Sequence, residues 1–445
     1  MNIHRRELLA GSAGLLSLTA AGAVGAAEVA SAKTKPSGTP FPKGFLWGTA
    51  TAGHQVEGNN TNSDCWWLEN VRPSAFTEPS GDACNSFELW PHDLDLVRSL
   101  GLNSYRFSLE WARIEPEPGH YSRAMLDHYA RMIDGCRERG IAPLVTFNHF
   151  TAPRWFAADG GWMHPEAPAR FARFCTVAAR HLASGISHAI TLNEPNLPQL
   201  LQVLLPPFVF EAQRANLVAA AKALGVPKFS AANGVNAEDM PAVQAGLLAG
   251  HRLGREAIKS VRPDLPVGVS LAVVDDQAVG NPAPRDARRA IVYGAWLEAA
   301  KADDFIGVQN YERSRTGPEG PLPPPEGSPR NWSGAEVYAP SLGNAVRYVH
   351  GATGRPIIVT EHGVGTEDDT LRAAFIPEAL AGLAAVMAEG IPVGGYLHWS
   401  LLDNFEWVFG YKPKFGLAAV DRQTFKRTLK PSSAVLAAIA RRNAL

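Results

Sequence analysis

Two glutamates stand directly after apolar, β-prone runs: Glu194 in TLNEP at 191–195 and Glu361 in VTEHG at 359–363. The runs before them, 188–192 and 356–360, read as buried strands, so both carboxylates are expected at strand C-terminal ends. Two carboxyl groups held together can divide acid chemistry from base or nucleophile chemistry. Mutual repulsion raises one pKa and keeps that group protonated, and a neighbouring cation keeps the other ionised. In a closed α/β barrel, the C-terminal strand ends are where catalysis takes place.

The elements that must position this pair recur along the chain. Apolar β-type runs lie at 45–50, 103–109, 141–148, 188–193, 266–273, 305–310, 356–360 and 394–399. Amphipathic stretches between them, such as 93–100, 122–139, 168–183, 247–261, 340–350 and 371–389, carry helical spacing. Alternation of this kind marks a β/α fold, and eight strands with helical crossovers close a (β/α)8 TIM barrel. Proline and glycine crowd 316–330, including GPEGPLPPPEG, which predicts a loop over the active face with neither strand nor helix. No internal repeat longer than the β/α unit is visible.

Residues 1–32 are read apart from the fold. Arg5 and Arg6 precede a mildly apolar stretch at 8–27, and Ala30-Ser31-Ala32 has a small-x-small cleavage pattern, as in twin-arginine export leaders of bacteria. The expectation is a leader at 1–32, a short linker at 33–40 and a single catalytic barrel over 41–445, in the periplasm or secreted. The 8–27 stretch is mostly Ala, Gly, Ser and Thr and contains no Ile, so no stable membrane anchor is expected. The 42 basic and 43 acidic residues nearly cancel and form no basic run after the leader, which argues against nucleic acid and for a neutral substrate. Cys65, Cys84, Cys136 and Cys175 are far apart with no metal-ligand spacing, so no metal and no cofactor are expected. Cys65 and Cys84 could pair in an oxidising compartment, but buried free thiols are the expectation.

Six ordered motifs resemble glycoside hydrolase family 1, the β-glucosidase and β-galactosidase family, over nearly everything from Phe41 onward. They are FLWGTATAGHQVEG at 45–58, SYRFSLEWARIEP at 104–116, TLNEP, DFIGVQNY at 304–311, TEHG at 360–363 and HWSLLDNFEW at 398–407. Either glutamate motif alone would be modest support, whereas six in order are specific. Cleaving an acetal at neutral pH needs one carboxylic acid to protonate the leaving oxygen and one carboxylate to meet the charge developing at the anomeric carbon. The resemblance implies a retaining mechanism with Glu361 as nucleophile and Glu194 as acid/base.

Arg106, in the second strand, is the candidate cation beside Glu361, since an arginine pointing into a barrel is costly without an anion, and it matches the family position. The resemblance implies that Tyr311 hydrogen-bonds the nucleophile. It implies that Gln55, His149, Asn193 and Glu406 bind hydroxyls of the non-reducing sugar, and that Trp399 and Trp407 form floor and wall of its subsite. Asn193 would contact the 2-hydroxyl, where hydrogen bonds that tighten in the transition state are worth several kcal/mol.

Three departures stand out. His362 replaces the usual Asn after the nucleophile; Phe150 and Thr151 replace Trp and Asp after His149; Gln309-Asn310-Tyr311 replaces Asn-Tyr-Tyr. No catalytic carboxylate is lost, so activity is expected to survive with altered pocket shape, leaving-group preference or pH optimum. After TLNEP the chain is unusually apolar, with LLPPFVF at 204–210, which could line an aglycone subsite for a phenol, terpenoid or lipid-like alcohol, or pack as a helix or loop on the barrel top. The expected function is an exo-acting retaining β-glycosidase on small-molecule glycosides, β-glucosidase foremost. Alternatives are β-galactosidase, β-fucosidase or another glycone preference, transglycosylation, and an exported sugar-binding protein without turnover.

Overall fold

The computed structural model describes residues 40–445 apart from residue 232. The expected leader at 1–32, and the expected linker at 33–40 except for Pro40, lie outside the described residues.

Eight parallel strands close into a barrel. They are β1 (Leu46–Ala50), β2 (Ser104–Ser108), β3 (Ala142–Asn148), β4 (His188–Asn193), β5 (Val267–Ala272), β6 (Phe305–Asn310), β7 (Ile357–His362) and β8 (Val393–Trp399). Closure is in register, with Leu46 opposite Gly395 and Ala50 opposite Trp399. Each strand falls on one of the apolar runs. That agreement is physical, because strands covered on both faces must be apolar nearly throughout. β7 runs two residues further than the sequence pattern, because polar Glu361 and His362 end the apolar run while the ladder to Gln309 and Asn310 continues.

Alternation along the strands sorts residues between two cores. Ala50, Leu144, Ile190, Phe305, Ile358, Leu397 and Trp399 pack together inside the barrel. Val145, Val269, Ile306, Val308, Val359 and Tyr396 face outward, against the helices. Ser122 caps Arg123–Glu138 by accepting from the Met125 N–H. Two other helices begin seven residues before their sequence pattern, as Ser86–Ser99 and Met240–Val261. The first runs through Pro91 and the second has Pro241 in its opening turn, where a missing N–H costs little. Helix Ala283–Ala300 fills the crossover between β5 and β6. Asp369–Ala388 is long and apolar enough to cross a membrane, and here it packs between Ser341–Thr353 and Pro431–Arg442.

The proline-rich segment corrects the expectation of a structureless loop. Arg313–Gly317 and Gly320–Leu322 form an antiparallel pair beside Asp275–Ala278. Pro321 is tolerated because its strand lies at the sheet edge, and Gly320 takes φ +124°, open to glycine alone. This small sheet follows β5 and β6, so it does stand on the C-terminal side of the barrel. Cys65, Cys84, Cys136 and Cys175 are all buried free thiols.

Candidate active site

The site assembles where the strands end. Asn193 closes β4, and Glu194 follows with φ +42°, a left-handed conformation costly for a side chain of this kind. The Glu194 N–H donates to Ser270 O at 2.8 Å, and its carbonyl accepts from Leu197 at 2.9 Å as helix Leu197–Leu204 begins. Across the barrel, a register shift between Val359 and Glu361 breaks strand alternation. Thr360 meets Ser270 inside the barrel, and Glu361, one residue later, also faces inward.

Arg106 rises from β2 fully buried and binds three elements at once. It donates to Glu361 Oε1 at 2.5 Å, to Asn193 Oδ1 at 2.5 Å and to Thr146 Oγ1 at 2.9 Å. The Tyr311 hydroxyl donates to Glu361 Oε2 at 2.6 Å. Gln309 Nε2 donates to Glu361 Oε1 at 2.9 Å and to Asn193 Oδ1 at 2.7 Å. Among the described residues no donor of this kind meets the Glu194 carboxyl. Burial pushes both glutamates above the ordinary carboxyl range. For Glu361 the arginine, tyrosine and glutamine pull back toward ionisation. For Glu194 the Glu361 charge adds to burial, so the resting proton belongs on Glu194.

Beside this pair lies a recess walled by rings. His149 stacks on Trp399 at 5.8 Å and on Trp407 at 6.1 Å, and meets Asn193 Nδ2 through Nε2 at 3.1 Å. Burial and Arg106 keep His149 neutral. Gln55 Nε2 donates to Phe405 O at 2.7 Å and Glu406 Oε2 at 3.2 Å. Burial and the Glu361 charge push Glu406 up to about 8. Gln55 Oε1 and His149 Nδ1 are buried with no protein partner among the described residues, as groups awaiting a hydroxyl-bearing ligand would be. Thus all ten residues expected from the sequence lie in one connected site.

The departures resolve individually. Phe150 packs edge-on against Trp407 at 5.2 Å and offers no N–H. Thr151 turns away and donates to buried Glu110 at 2.7 Å. His362 faces outward, pairing with the Tyr396 hydroxyl at 3.0 Å and stacking on Phe375, so it touches no substrate space. Gln309 is the residue whose place the sequence reading did not assign. The signal was parity: Phe305, Gly307 and Gln309 share the inward side of β6, and Tyr311 follows the strand in the same phase. Trp332, packed with Tyr311 and Phe415 at the same end, also went unassigned, being carried by a loop without periodicity.

No group of three or more His, Cys, Asp or Glu side chains among the described residues could hold a metal ion. At the opposite end of the barrel, a groove of about 700 Å³ is lined by Phe41, Met387, Pro392 and Val393 and has no convergent polar groups.

A closed (β/α)8 barrel with two buried carboxyl groups at its C-terminal end, one paired with an arginine, has the architecture of a glycoside hydrolase. The chain belongs to glycosyl hydrolase family 1, whose family model matches 37–236 and 310–445. A β-glucosidase of Agrobacterium sp. is 31% identical, over 90% of this chain and 95% of its own length. A bifunctional β-D-glucosidase/β-D-fucosidase of Bifidobacterium breve is 30% identical, over 88% and 96% respectively. The crystal structure of β-glycosidase BGL167 superposes with TM-score 0.86 at 47% identity, covering 91% of this chain and 98% of that one.

Proposed function

We propose that the protein is an exo-acting retaining β-glycosidase, with β-glucosides its first substrates. The observation that carries this reading is the asymmetry of the two carboxyl groups: Glu361 is tied to Arg106 and Tyr311, while among the described residues Glu194 has no such donors. Glu361 attacks the anomeric carbon as the glycosidic C–O bond breaks and Glu194 gives its proton to the departing oxygen. Glu194, now ionised, takes a proton from water. That water attacks the same carbon, releases Glu361 and leaves the β configuration intact. Asn193, Gln55, His149 and Glu406 hold the sugar hydroxyls, and Trp399 and Trp407 cover the ring's C–H faces.

The names of the relatives support glucose first and fucose beside it. An apolar aglycone is supported by the segment after Glu194, where Val203 and Phe208 stay 38% and 52% exposed. Equal turnover of alkyl or aryl glucosides and cellobiose would count against it. Export of the protein is supported by Arg5, Arg6 and Ala30-Ser31-Ala32, and the N-terminus of protein recovered outside the cytoplasm tests it.

Release of p-nitrophenol from a panel of β-linked aryl glycosides, with Glu361→Ala alongside, is the direct test. Turnover abolished in the variant is expected, with residual rate down by more than about 10⁴-fold. No turnover of any sugar by folded protein would instead favour a binding role.

A further inference from the structure

We propose that Gln309 is a positioning residue that locks Glu361 and Asn193 into one hydrogen-bonded ring, coupling placement of the nucleophile to recognition of the sugar's 2-hydroxyl. The inference rests on the reading of Glu361 as nucleophile and Asn193 as the 2-hydroxyl partner.

The ring has two donors and two acceptors. Arg106 spans Glu361 Oε1 and Asn193 Oδ1 with its two terminal nitrogens, each at 2.5 Å. Gln309 spans the same two oxygens with the two hydrogens of one amide nitrogen, at 2.9 and 2.7 Å. The amide orientation is fixed by chemistry: turned over, its oxygen would face two acceptors. Accepting from both donors fixes the Asn193 amide as well, so that its Nδ2 faces His149 and the recess.

A purely structural amide would satisfy both ends, yet Gln309 Oε1 is buried with no protein partner among the described residues, and the residue is 1% exposed. That orphan acceptor carries a cost which packing alone does not repay. Length matters too. An asparagine, the usual residue at this place in the motif, ends about 1.5 Å sooner, one C–C bond, and from this backbone cannot span both oxygens.

Gln309 also does what a second cation could not. Arg106 favours ionisation of Glu361 but also acts on Glu194, pulling its pKa down, whereas of the two carboxyl groups Gln309 donates to Glu361. A neutral donor therefore helps ionise the nucleophile while leaving the proton on the acid. The charged or titratable groups facing Glu361 are Arg106 from β2, Tyr311 after β6, Glu194 after β4 and Glu406 after β8.

The test compares Gln309→Leu and Gln309→Asn with the unmodified enzyme and Glu361→Ala. Circular dichroism counts folded protein, and a dinitrophenolate burst from a 2,4-dinitrophenyl 2-deoxy-2-fluoro-β-glucoside counts sites whose nucleophile reacts. The acid limb of kcat/KM against pH reads nucleophile ionisation, and the rate ratio of β-glucoside to its 2-deoxy analogue reads 2-hydroxyl recognition. Per folded site, the leucine variant should lose about 10- to 100-fold in kcat/KM. Its acid limb should move up by about one unit, and its 2-hydroxyl discrimination should fall about tenfold. The asparagine variant should fall between, and it decides the matter if the leucine variant gives no folded sites. An unmoved acid limb with unmoved discrimination would overturn the proposal. Turnover surviving in Glu361→Ala would instead overturn the nucleophile assignment itself.

Discussion

Glu194 and Glu361 are chemically identical side chains given opposite tasks by what donates to them. Glu361 receives hydrogen bonds from an arginine, a tyrosine and a glutamine, whereas Glu194 is governed foremost by burial and its partner's charge, with Arg106 pulling back more weakly. Since Glu194 must be protonated to act, rising pH strips its proton and produces the alkaline limb of the rate profile. Glu194→Gln should abolish that limb and slow substrates with poor alkyl leaving groups by about 10²- to 10⁴-fold. Bond cleavage in dinitrophenyl glycosides, whose leaving group needs no proton, should be nearly unaffected, as pre-steady-state release of phenolate would show. Equal slowing of both substrates would place the proton elsewhere. These two residues are legible in the sequence because each ends an apolar run with a charge. Gln309 is legible only as an odd residue; its partners come from β4 and β7, far away along the chain.

Strand ends, more than strand interiors, carry function here, and their geometry depends on close approach beneath them. Gly307 of β6 sits between Ser270 and Thr360, whose hydroxyls lie 3.0 Å apart. A Cβ at this position would come within 2.2 Å of Ser270 Oγ and 2.7 Å of Thr360 Oγ1. Those short side chains cannot swing clear in a packed barrel. Gly307→Ala should therefore cost about 1–3 kcal/mol in stability and lower kcat by displacing Gln309 on the same strand and Glu361 on the flanking one. Chemical denaturation with parallel kinetics checks this, and an unchanged midpoint would show the barrel yielding more than the contacts allow. At this scale the eight strands are legible from apolar runs. The hairpin of Arg313–Gly317 and Gly320–Leu322 is not, because prolines that argue against a strand are harmless at a sheet edge.

For the whole molecule, a recess built to bind sugar is a standing cost in stability. Glu406, pushed up to about 8 by burial and Glu361, has an ordinary value near 4.3 once unfolded. Between those two values the folded protein holds a proton that the unfolded chain has released. Its contribution is thus fully present below about pH 4 and is lost as pH rises through about 8. Glu406→Gln cannot ionise, so its Tm advantage over the unmodified enzyme should grow from pH 5 to pH 9 while kcat/KM for glucosides falls. Calorimetry across that range is the measurement, and an advantage that shrinks with pH would refute the assignment.

By itself the sequence determined the strand order, the barrel class, both carboxylates and the ring-bearing recess, since each is written in local pattern or short motif. Tertiary structure alone decided how those groups meet. The register shift in β7 turns Glu361 inward, parity sends His362 out to Tyr396, and Gln309 is brought between Asn193 and Glu361. Facing, partnership and charge balance depend on neighbours supplied by other strands. No local pattern encodes a distance between residues that only the closed barrel brings together.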